Sequence, residues 1–380
     1  MTSKKKQGSG RRQHARVTAS DVAALAGVSP MTVSRVINGE GSVRESTRAA
    51  VERAIEKLGY SPNKAARSLA SASQMKIGLL SIHPNSTYLG AILLGVLEQA
   101  RQSDTQVVII EYDPDSDPAK LIRSIRQGGL DGLLVAPPVA DDPAFMKRLR
   151  KAVTAIVTIG TQNTDMGFSS VFVDDYKAAR AMAEHIIGLG HRRIGFIKGG
   201  AQHMSSQMRE DGYRDALVTA GIAVDDDLIV HGDYSYRSGL DATDALLSLE
   251  RAPTAIFAGN DDMAAAAIST AHRHHIDVPD GLTVCGFDDT TLATTVWPEI
   301  TTIHQPLAGM ARACLEMLER EIRSRRVGVE PQPERREFPF RLVHRQSDAA
   351  PPRPRKAERK TQTTAKAAVA AAQSMAARER

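Results

Sequence analysis

Residues 18–38 read TASDVAALAGVSPMTVSRVIN, a stretch that predicts two short helices joined by a tight turn. The first helix is expected over 19–26, because Thr18 followed three residues later by Asp21 is the pattern of a capping box. The second helix is expected over 30–38. A helix, a turn and a second helix of these lengths have the layout of a helix-turn-helix.

The second helix has one apolar side and one polar side. It is expected to start with Ser29 at the N-cap and Pro30 at the first helical position, where the missing N–H of proline costs nothing. The small core of the hairpin is expected to contain Ala23, Ala24, Leu25, Val33 and Val36. The exposed side offers Pro30, Met31, Thr32, Ser34 and Arg35.

Such a helix fits the major groove of DNA, where Arg35 can bond a guanine at two points. The first turns of both helices also offer free N–H groups to phosphates.

Charge is distributed unevenly along the 380 residues. Residues 1–76 have 14 Lys/Arg and 5 Asp/Glu, and residues 349–380 have 8 and 2, which leaves a net charge of −10 on 77–348. A basic head, an acidic middle and a basic tail imply that only the ends approach a polyanion. Residues 1–16 and 349–380 have no apolar periodicity and are expected to be a disordered basic arm and tail.

The composition argues against several classes of protein. No apolar stretch reaches the roughly 18 residues of a membrane span, and the basic N-terminus lacks the apolar core of a signal peptide, so a cytoplasmic protein is expected. Cys285 and Cys314 are expected to be buried thiols, because their spacing suits no metal. The histidines at 272, 274 and 275 lack the i, i+4 pairing of a helical metal site. No catalytic residue, metal or cofactor is expected.

Beyond the hairpin the periodicity first continues as helix and then changes. A third helix is predicted over 46–58, and PNKAARSLA at 62–70 is a further helical candidate before a small polar linker at 71–74. Apolar strands then alternate with amphipathic helices, which predicts an α/β fold of parallel sheets with helices on both faces. The nine predicted strands are 77–82, 106–112, 131–137, 155–160, 171–175, 193–199, 228–234, 255–261 and 283–289.

Nine strands are more than one open sheet comfortably holds, so two lobes are expected. In parallel sheets of this kind, ligands bind beyond the carboxyl ends of the strands. Several predicted strands end in polar residues suited to that position, at Asn85, Asn260-Asp261 and Asp288-Asp289.

The residues of the head resemble those of the lactose/galactose repressor family of transcriptional regulators. The matching residues are Asp21-Val22-Ala23, Gly27-Val28-Ser29, Thr32-Val33-Ser34-Arg35-Val36, Asn38, Thr47-Arg48, Tyr60 and Pro62-Asn63. The resemblance continues to about residue 346 through DDYKAARAMAEHIIGLGHRRIGFIKG, NDDMAAAA, GFDDT and PEITTIHQP. Residues 77–346 also resemble periplasmic sugar-binding proteins, whose two lobes hold the ligand between them.

This resemblance implies a set of DNA contacts. They are Thr18, Ser29, Pro30, Met31, Thr32, Ser34, Arg35, Asn38, Thr47, Tyr60, Asn63, Ala66 and Leu69. Residues 62–70 resemble the hinge helix, which folds on DNA and enters the minor groove beside its dimer mate. Leu69 then is the wedge between the central base pairs and Ala66 packs in the groove; alternatively, Leu69 packs between domains. Pro30 and Met31 depart from the lactose repressor itself, so the operator sequence does not carry over.

The resemblance also implies an effector site between the lobes. Arg209 matches a ligand-binding arginine, Asn260 opens the NDDM motif, Asp288 follows the GF pair, and Tyr234 matches an aromatic ring that stacks on the ligand. Arg, Asp and Asn together donate to and accept from hydroxyl-rich ligands. Further candidates, in a loop that aligns less well, are Tyr88 and Asn85. Alternatively, Arg209 forms a surface ion pair, and Asn260 or Asp288 caps a helix.

These observations predict a regulator in five segments: a disordered basic arm (1–16), a helix-turn-helix domain (17–60), a hinge helix with linker (61–76), a two-lobed effector-binding and dimerisation core (77–348) and a disordered basic tail (349–380). The predicted function is a sequence-specific transcriptional repressor of carbohydrate-related genes. It is expected to bind a pseudo-palindromic DNA operator as a homodimer, under control of a sugar-like effector. The alternatives are a sugar-binding protein without DNA function and a sugar-acting enzyme.

Overall fold

The computed structural model describes residues 17–37, 43–60, 74–82, 86–113, 116–162 and 167–351. The chain divides into two units, a head of Met1–Gln74 and a core unit of Met75–Arg380.

The described part of the head contains three helices, α1 (Ala19–Ala26), α2 (Pro30–Ile37) and α3 (Glu45–Leu58). The predicted capping box is confirmed, because the Thr18 side chain accepts from the backbone N–H of Asp21 and the Asp21 carboxylate accepts from the backbone N–H of Thr18. The hydroxyl of Ser29 accepts from the N–H of Thr32 at 3.2 Å, so Ser29 caps the start of α2.

The apolar core of the head differs in part from the predicted one. Its buried residues are Val22, Ala23, Val33, Val36, Val51 and Ala54. The prediction was wrong for Ala24 and Leu25, which are exposed, Leu25 by 45%. The reason is that α1 packs against α3 through Val22 and Ala23, which leaves the next two positions on the outer side of the helix.

In the described part of the core unit all nine predicted strands are present, and three further short strands follow them. The strands are β1 (Lys76–Ser81), β2 (Gln106–Glu111), β3 (Gly132–Val135), β4 (Ala155–Ile159), β5 (Ser169–Phe172), β6 (Ile194–Lys198), β7 (Ile229–His231), β8 (Ala255–Ala258), β9 (Thr283–Cys285), β10 (Thr302–His304), β11 (Arg335–Glu337) and β12 (Arg341–Val343). The helices are α4 (Thr87–Ser103), α5 (Pro118–Gln127), α6 (Pro143–Arg150), α7 (Asp175–Gly188), α8 (Met204–Thr219), α9 (Tyr236–Leu247), α10 (Asp261–Arg273), α11 (Leu292–Thr295) and α12 (Leu307–Arg326).

Ten of these strands form two parallel sheets, which define two lobes. The sheet of lobe 1 has the order β11-β5-β4-β3-β1-β2, and the sheet of lobe 2 has the order β7-β6-β8-β9. Strands β3, β4 and β8 are buried along their whole length, as their continuous apolar sequence predicts for a sheet covered on both faces. Helix α12 packs against α4 in lobe 1, where Gly95 allows close approach: a Cβ there would lie 2.2 Å from the carbonyl oxygen of Ala308.

Within the residues that the structure describes, the chain passes between the lobes three times: after β5, after β10 and after β11. The strands that sequence reasoning missed, β10 to β12, all flank these crossings. Strand β11 joins β5 in parallel, and β10 pairs with β12 in antiparallel. Each has only three residues, and β11 reads Arg-Arg-Glu, so neither length nor hydrophobicity indicates a strand.

Both ends of the core unit extend beyond the predicted 77–348. Met75 is buried in the core and Lys76 begins β1, so the linker ends at Gln74. At the other end, Ala349 has two hydrogen bonds with the Thr283 side chain. Its carbonyl oxygen accepts from the Thr283 hydroxyl at 3.0 Å, and its backbone N–H donates to the oxygen of that hydroxyl. Pro351 lies against Gly190. A truncation that removes the tail should therefore follow residue 351. In the described ranges, helices of membrane-spanning length and hydropathy are absent.

Candidate functional site

A cavity of about 400 Å³ lies between the two lobes of the core unit. Lobe 1 contributes Ser81, at the end of β1, and Tyr88, at the start of α4, to its lining. Lobe 2 contributes Arg209 from α8 and Asp288, which follows β9. The cavity thus lies at the carboxyl ends of the parallel strands, which is where ligands bind in folds of this kind.

The centre of the cavity wall is the buried guanidinium of Arg209, which is only 5% exposed. Its Nε donates to Oδ1 of Asp175 at 2.7 Å, and its Nη1 donates to the carbonyl oxygen of Gly259 at 2.6 Å. Its Nη2 lies 3.7 Å from Oδ1 of Asp288, and the group stacks over the Phe287 ring at 3.6 Å. Arg209 is therefore not a surface ion pair. It belongs to a buried cluster of one guanidinium and two carboxylates, the acid–arginine cluster: Asp175, Arg209 and Asp288.

Burial and charge act in opposite directions in this cluster. Burial raises the pKa of Asp175, and the nearby Arg209 guanidinium offsets part of that rise. Burial also raises the pKa of Asp288 well above its ordinary range, again against the effect of Arg209. For Arg209 burial alone would lower the pKa, but Asp175, Tyr234 and Asp288 outweigh burial and raise it. The guanidinium therefore stays charged and holds both carboxyl groups close to it.

The ring of Tyr234 forms a second side of the cavity. It lies against Gly199, where a Cβ would approach the ring to 2.1 Å, so only glycine allows this placement. The His203 ring meets it edge-on with centroids 4.9 Å apart, and the Ser205 hydroxyl lies 3.3 Å from the Tyr234 hydroxyl. Tyr234 has a φ of 71°, so its backbone also adopts the left-handed conformation.

Asn260 lines the cavity but also has two structural bonds. Its side-chain oxygen accepts from the N–H of Met263 at 3.0 Å, which makes it the N-cap of α10. Its Nδ2 donates to the carbonyl of Tyr234 at 2.9 Å. The alternative role predicted for Asn260, a helix cap, is therefore present, and its side-chain amide also holds the backbone of Tyr234. Asp288 does not cap a helix: it has a φ of 109° and accepts from Nε2 of Gln305 at 2.7 Å.

Sequence reasoning missed several residues of the cavity. Asp175 is the most important of them. The sequence predicts a strand over all of VFVDD at 171–175, whereas β5 ends at Phe172 and Asp175 begins α7. Two adjacent carboxylates directly after a strand were the available signal. The other missed polar or aromatic residues are Ser81, Ser86, His203, Ser205, Asp233, Ser235, Tyr236, Asp262 and Gln305.

Two hydrogen bonds join the lobes beside the cavity. The Thr87 hydroxyl, at the start of α4 in lobe 1, donates to Oδ2 of Asp262 in lobe 2 at 2.5 Å. The Met204 N–H, at the start of α8 in lobe 2, donates to Oδ2 of Asp141 in lobe 1 at 3.0 Å. Burial raises the pKa of Asp141. These contacts hold the lobes together at the opening of the cavity.

In the head, helix α2 presents the predicted polar side. Val33 and Val36 are buried, while Pro30, Met31, Ser34 and Arg35 are exposed, Met31 by 67%. Thr32 is partly buried, and its hydroxyl lies 2.9 Å from that of Ser29. Thr18 is exposed, Thr47 is partly buried, and Tyr60 packs against the apolar core of the head. Five predicted site residues lie outside the described residues: Asn38, Asn63, Ala66, Leu69 and Asn85.

Two parts of the chain match known families. Residues 18–63 match the bacterial regulatory proteins of the lacI family, and residues 183–347 match the periplasmic binding protein-like domain. The chain is 32% identical over 305 residues to catabolite control protein A of Priestia megaterium, an alignment that covers 80% of this chain and 91% of that protein. The chain belongs to the LacI family of bacterial regulatory proteins. It is a sequence-specific DNA-binding transcription regulator, not an enzyme, and the predicted family and fold class are confirmed.

Solved structures of LacI-family proteins have the same fold. The complex of the transcriptional regulator CelR with cellobiose aligns with 87% of this chain and all of that chain, at 31% identity and a TM-score of 0.65. The lac repressor dimer bound to operator and the anti-inducer ONPF aligns with 88% of this chain and all of that chain, at 26% identity and a TM-score of 0.72. Both alignments therefore extend over the head and the core unit of this chain.

The acid–arginine cluster predicts a pH-dependent effect of Arg209→Ala on stability. Without the guanidinium, the native-state pKa values of Asp175 and Asp288 rise further above their unfolded values, so the native state holds protons that the unfolded state releases. Stability then falls as the pH rises above about 4. We expect a loss of about 3–5 kcal/mol at neutral pH, since breaking a buried pair leaves uncompensated charge, and a smaller loss at pH 5.

Thermal denaturation of wild type and variant at pH 5 and pH 8 measures this difference. Arg214→Ala is the matched control on the same helix, because its partner Glu210 keeps the ion pair with Lys198. A deficit of Arg209→Ala that is the same at both pH values would contradict the assignment of a charged, buried cluster.

Proposed function

We propose that this regulator is a repressor of carbohydrate-related genes that binds its operator as a dimer in the cytoplasm and is controlled by a neutral sugar between its lobes. The observation that carries the proposal is the inter-lobe cavity with a charged, hydrogen-bonding cluster on its wall, in a chain that also has a DNA-reading head. The complex of CelR with cellobiose supports a sugar as the ligand class.

On the DNA side, we assign base reading to the exposed side of α2, namely Pro30, Met31, Thr32, Ser34 and Arg35. Thr18 and Ser29 cap the starts of α1 and α2, and we assign both to phosphate contact because the N-terminus of a helix favours phosphate oxygens. Thr47 and Tyr60 border the same small domain and are assigned to backbone positioning. Asn38, Asn63, Ala66 and Leu69 are assigned to DNA contact and hinge on the family resemblance alone.

On the ligand side, the charge of the cavity favours a neutral molecule. Its described lining has the carboxylates of Asp175, Asp233, Asp262 and Asp288 against the single guanidinium of Arg209. Because Arg209 already has Asp175 and Asp288 within 4 Å, a phosphate or carboxylate on the ligand would have to compete with these two groups for the same guanidinium. Hydroxyl groups can instead donate to these carboxylates, and the Tyr88 and Tyr234 rings offer faces to the C–H groups of a sugar ring.

The exposed apolar side chains of the core unit favour a dimer. Leu94 and Leu97 on α4 are 64% and 48% exposed, and Ile109 on the adjoining edge strand β2 is 49% exposed. In lobe 2, Trp297 is 74% exposed beside a shallow groove that includes Ile268. Grouped exposed apolar residues mark association sites. We assign both surfaces to contact with a second copy of the chain, since the lac repressor dimer aligns with nearly the whole chain.

Leu94→Asp should convert the dimer to a monomer at micromolar concentration, because it places a charge in an apolar interface. Sedimentation velocity measures the change. Val218→Asp is the matched control, since Val218 is also 64% exposed on a helix but lies apart from these surfaces, on α8. A Leu94→Asp protein that remains dimeric would refute the assigned surface, and a monomeric wild type would refute the dimer.

Arg35→Ala should lower operator affinity by about 1–3 kcal/mol and relax base preference, because a bidentate contact to guanine is lost. Operator fragments would be selected from genomic DNA by the wild type and titrated by fluorescence anisotropy at several salt concentrations. Arg53→Ala, an exposed arginine on α3, should affect selected and random DNA alike. If the wild type enriches no fragment, the regulator proposal fails; if Arg35→Ala keeps full preference, only its base-reading role fails.

Neutral sugars, but not their phosphorylated or carboxylated forms, should raise the melting temperature of the purified protein. A panel of cellobiose, ribose, glucose, glucose 6-phosphate and glucuronate tests the charge preference. Asp288→Ala should lower the affinity for the best neutral ligand at least tenfold, as measured by calorimetry, since a hydrogen bond to a charged group contributes about 1.5–3 kcal/mol. Asp241→Ala, exposed on α9, is the control. Stabilisation by the phosphorylated sugar alone would overturn the ligand class.

A further inference from the structure

A cluster of metal-binding residues lies in lobe 2 and has no part in the cavity. We propose that His185, His344 and Asp348 bind one divalent first-row transition-metal ion, of which Zn²⁺ is the test case. None of the three lines the cavity. Helix α7 begins with Asp175 in the acid–arginine cluster and has His185 in its last turn, ten residues and about 15 Å further along its axis.

The three side chains already converge. One ligand atom from each lies within 4.8 Å of the others. Nε2 of His185 is 2.6 Å from Oδ2 of Asp348, and the rings of His185 and His344 are 4.6 Å apart between centroids, at an angle of 74°. Ligand atoms around a tetrahedral Zn²⁺ are about 3.3 Å apart, given metal–ligand distances of about 2.0–2.2 Å. A small rotation of the exposed His344 side chain is therefore enough to close the site.

The backbone beneath the cluster is held in place. Ser347 accepts from the N–H of Thr301 at 2.9 Å and donates its hydroxyl to the carbonyl of Val284 at 2.5 Å, which fixes the segment before Asp348. The Thr301 hydroxyl donates to Oδ1 of Asp348, so that Oδ2 is the oxygen directed at His185. Hydrogen bonds of this kind to a ligating carboxylate orient it and increase metal affinity.

The donor set determines which ion fits. Two imidazole nitrogens and one carboxylate oxygen suit Zn²⁺ and its first-row neighbours, with water completing a four-coordinate site. Ca²⁺ and Mg²⁺ need six or more oxygen ligands, which this cluster does not provide. The side chains of His185 and Asp348 are 15% and 7% exposed, so an ion there would be shielded on one side and reachable from the His344 side.

Sequence reasoning expected no metal site, because His344 and Asp348 are far from His185 along the chain. The histidine-rich segment at 272–275 provides fewer metal ligands. His274 pairs with Asp244 at 2.7 Å on an exposed surface, and among the described residues no second histidine is in reach of that pair. Across the described ranges, three convergent ligands of this kind occur only at the His185 cluster. A metal ion would join α7 to the segment that leads into the basic tail.

The test uses the full-length protein and Zn²⁺ alone as the probe. Isothermal titration should give one Zn²⁺ per chain, and His344→Ala should lower the Zn²⁺ affinity at least tenfold. Because His344 is exposed, this variant should leave the metal-free melting temperature unchanged. His274→Ala is the matched control and should bind as the wild type does. Asp348→Asn, which keeps the shape of the side chain, should also weaken binding.

A second readout reports on geometry. Co²⁺ added to the wild type should give the visible absorption of a four-coordinate site, and this band should be lost in His344→Ala but kept in His274→Ala. Zn²⁺ should also raise the melting temperature of the wild type, and chelation should reverse the rise. The proposal is overturned if the wild type binds no Zn²⁺, or if His344→Ala binds it as tightly as wild type; in either case the cluster is a hydrogen-bonded His–Asp pair and no metal site.

Discussion

The buried charge of Arg209 is the constraint on which the arrangement of the core unit depends. Its guanidinium bonds Asp175 at the start of α7 and the carbonyl of Gly259 after β8, and it lies 3.7 Å from Asp288 after β9. A buried charge is tolerated only when it is paired. The three chain segments at the start of α7, after β8 and after β9 must therefore each place an oxygen atom beside the same guanidinium. Asp288 does so with a φ of 109°, a conformation that costs about 1–3 kcal/mol and persists only where its surroundings hold it.

The same cluster explains how a ligand could act on the whole core. Arg209 belongs to lobe 2, and Tyr88, on the opposite side of the cavity, belongs to lobe 1. A sugar that contacts both binds the closed arrangement better than an open one, and a ligand shifts an equilibrium only by such a difference in affinity. The Thr87–Asp262 and Asp141–Met204 hydrogen bonds join the lobes beside the cavity. A ligand that contacts both lobes would add its own contacts to these two bonds.

Regular patterns were predictable from the sequence, and irregular ones were not. Capping signals and helical periodicity located α1, α2 and α3 to within a residue or so, and apolar runs located β1 to β9. Strands β10 to β12 were missed because their sequences are not hydrophobic enough to indicate strands. They become strands only by pairing with segments that lie next to them where the chain passes between the lobes. Arg209, Asp288 and Tyr234 were predicted through motifs, but Asp175 was not, because its role depends on a cation 34 positions away in the chain. The boundary at 348 was three residues short of Pro351, because Ala349 is fixed by side chains from elsewhere in the fold.

We infer that occupancy of the cavity controls operator binding through the acid–arginine cluster. Operator affinity, measured by fluorescence anisotropy with and without the most stabilising neutral sugar, tests it most directly when wild type is compared with Asp175→Asn. This variant keeps the shape of the side chain but removes the charge that holds Arg209, while the head is unchanged. We expect sugar to change wild-type operator affinity at least tenfold and to have little effect on the variant, whose sugar-free affinity should match the wild type within a few-fold. An unchanged sugar response in Asp175→Asn would contradict the account.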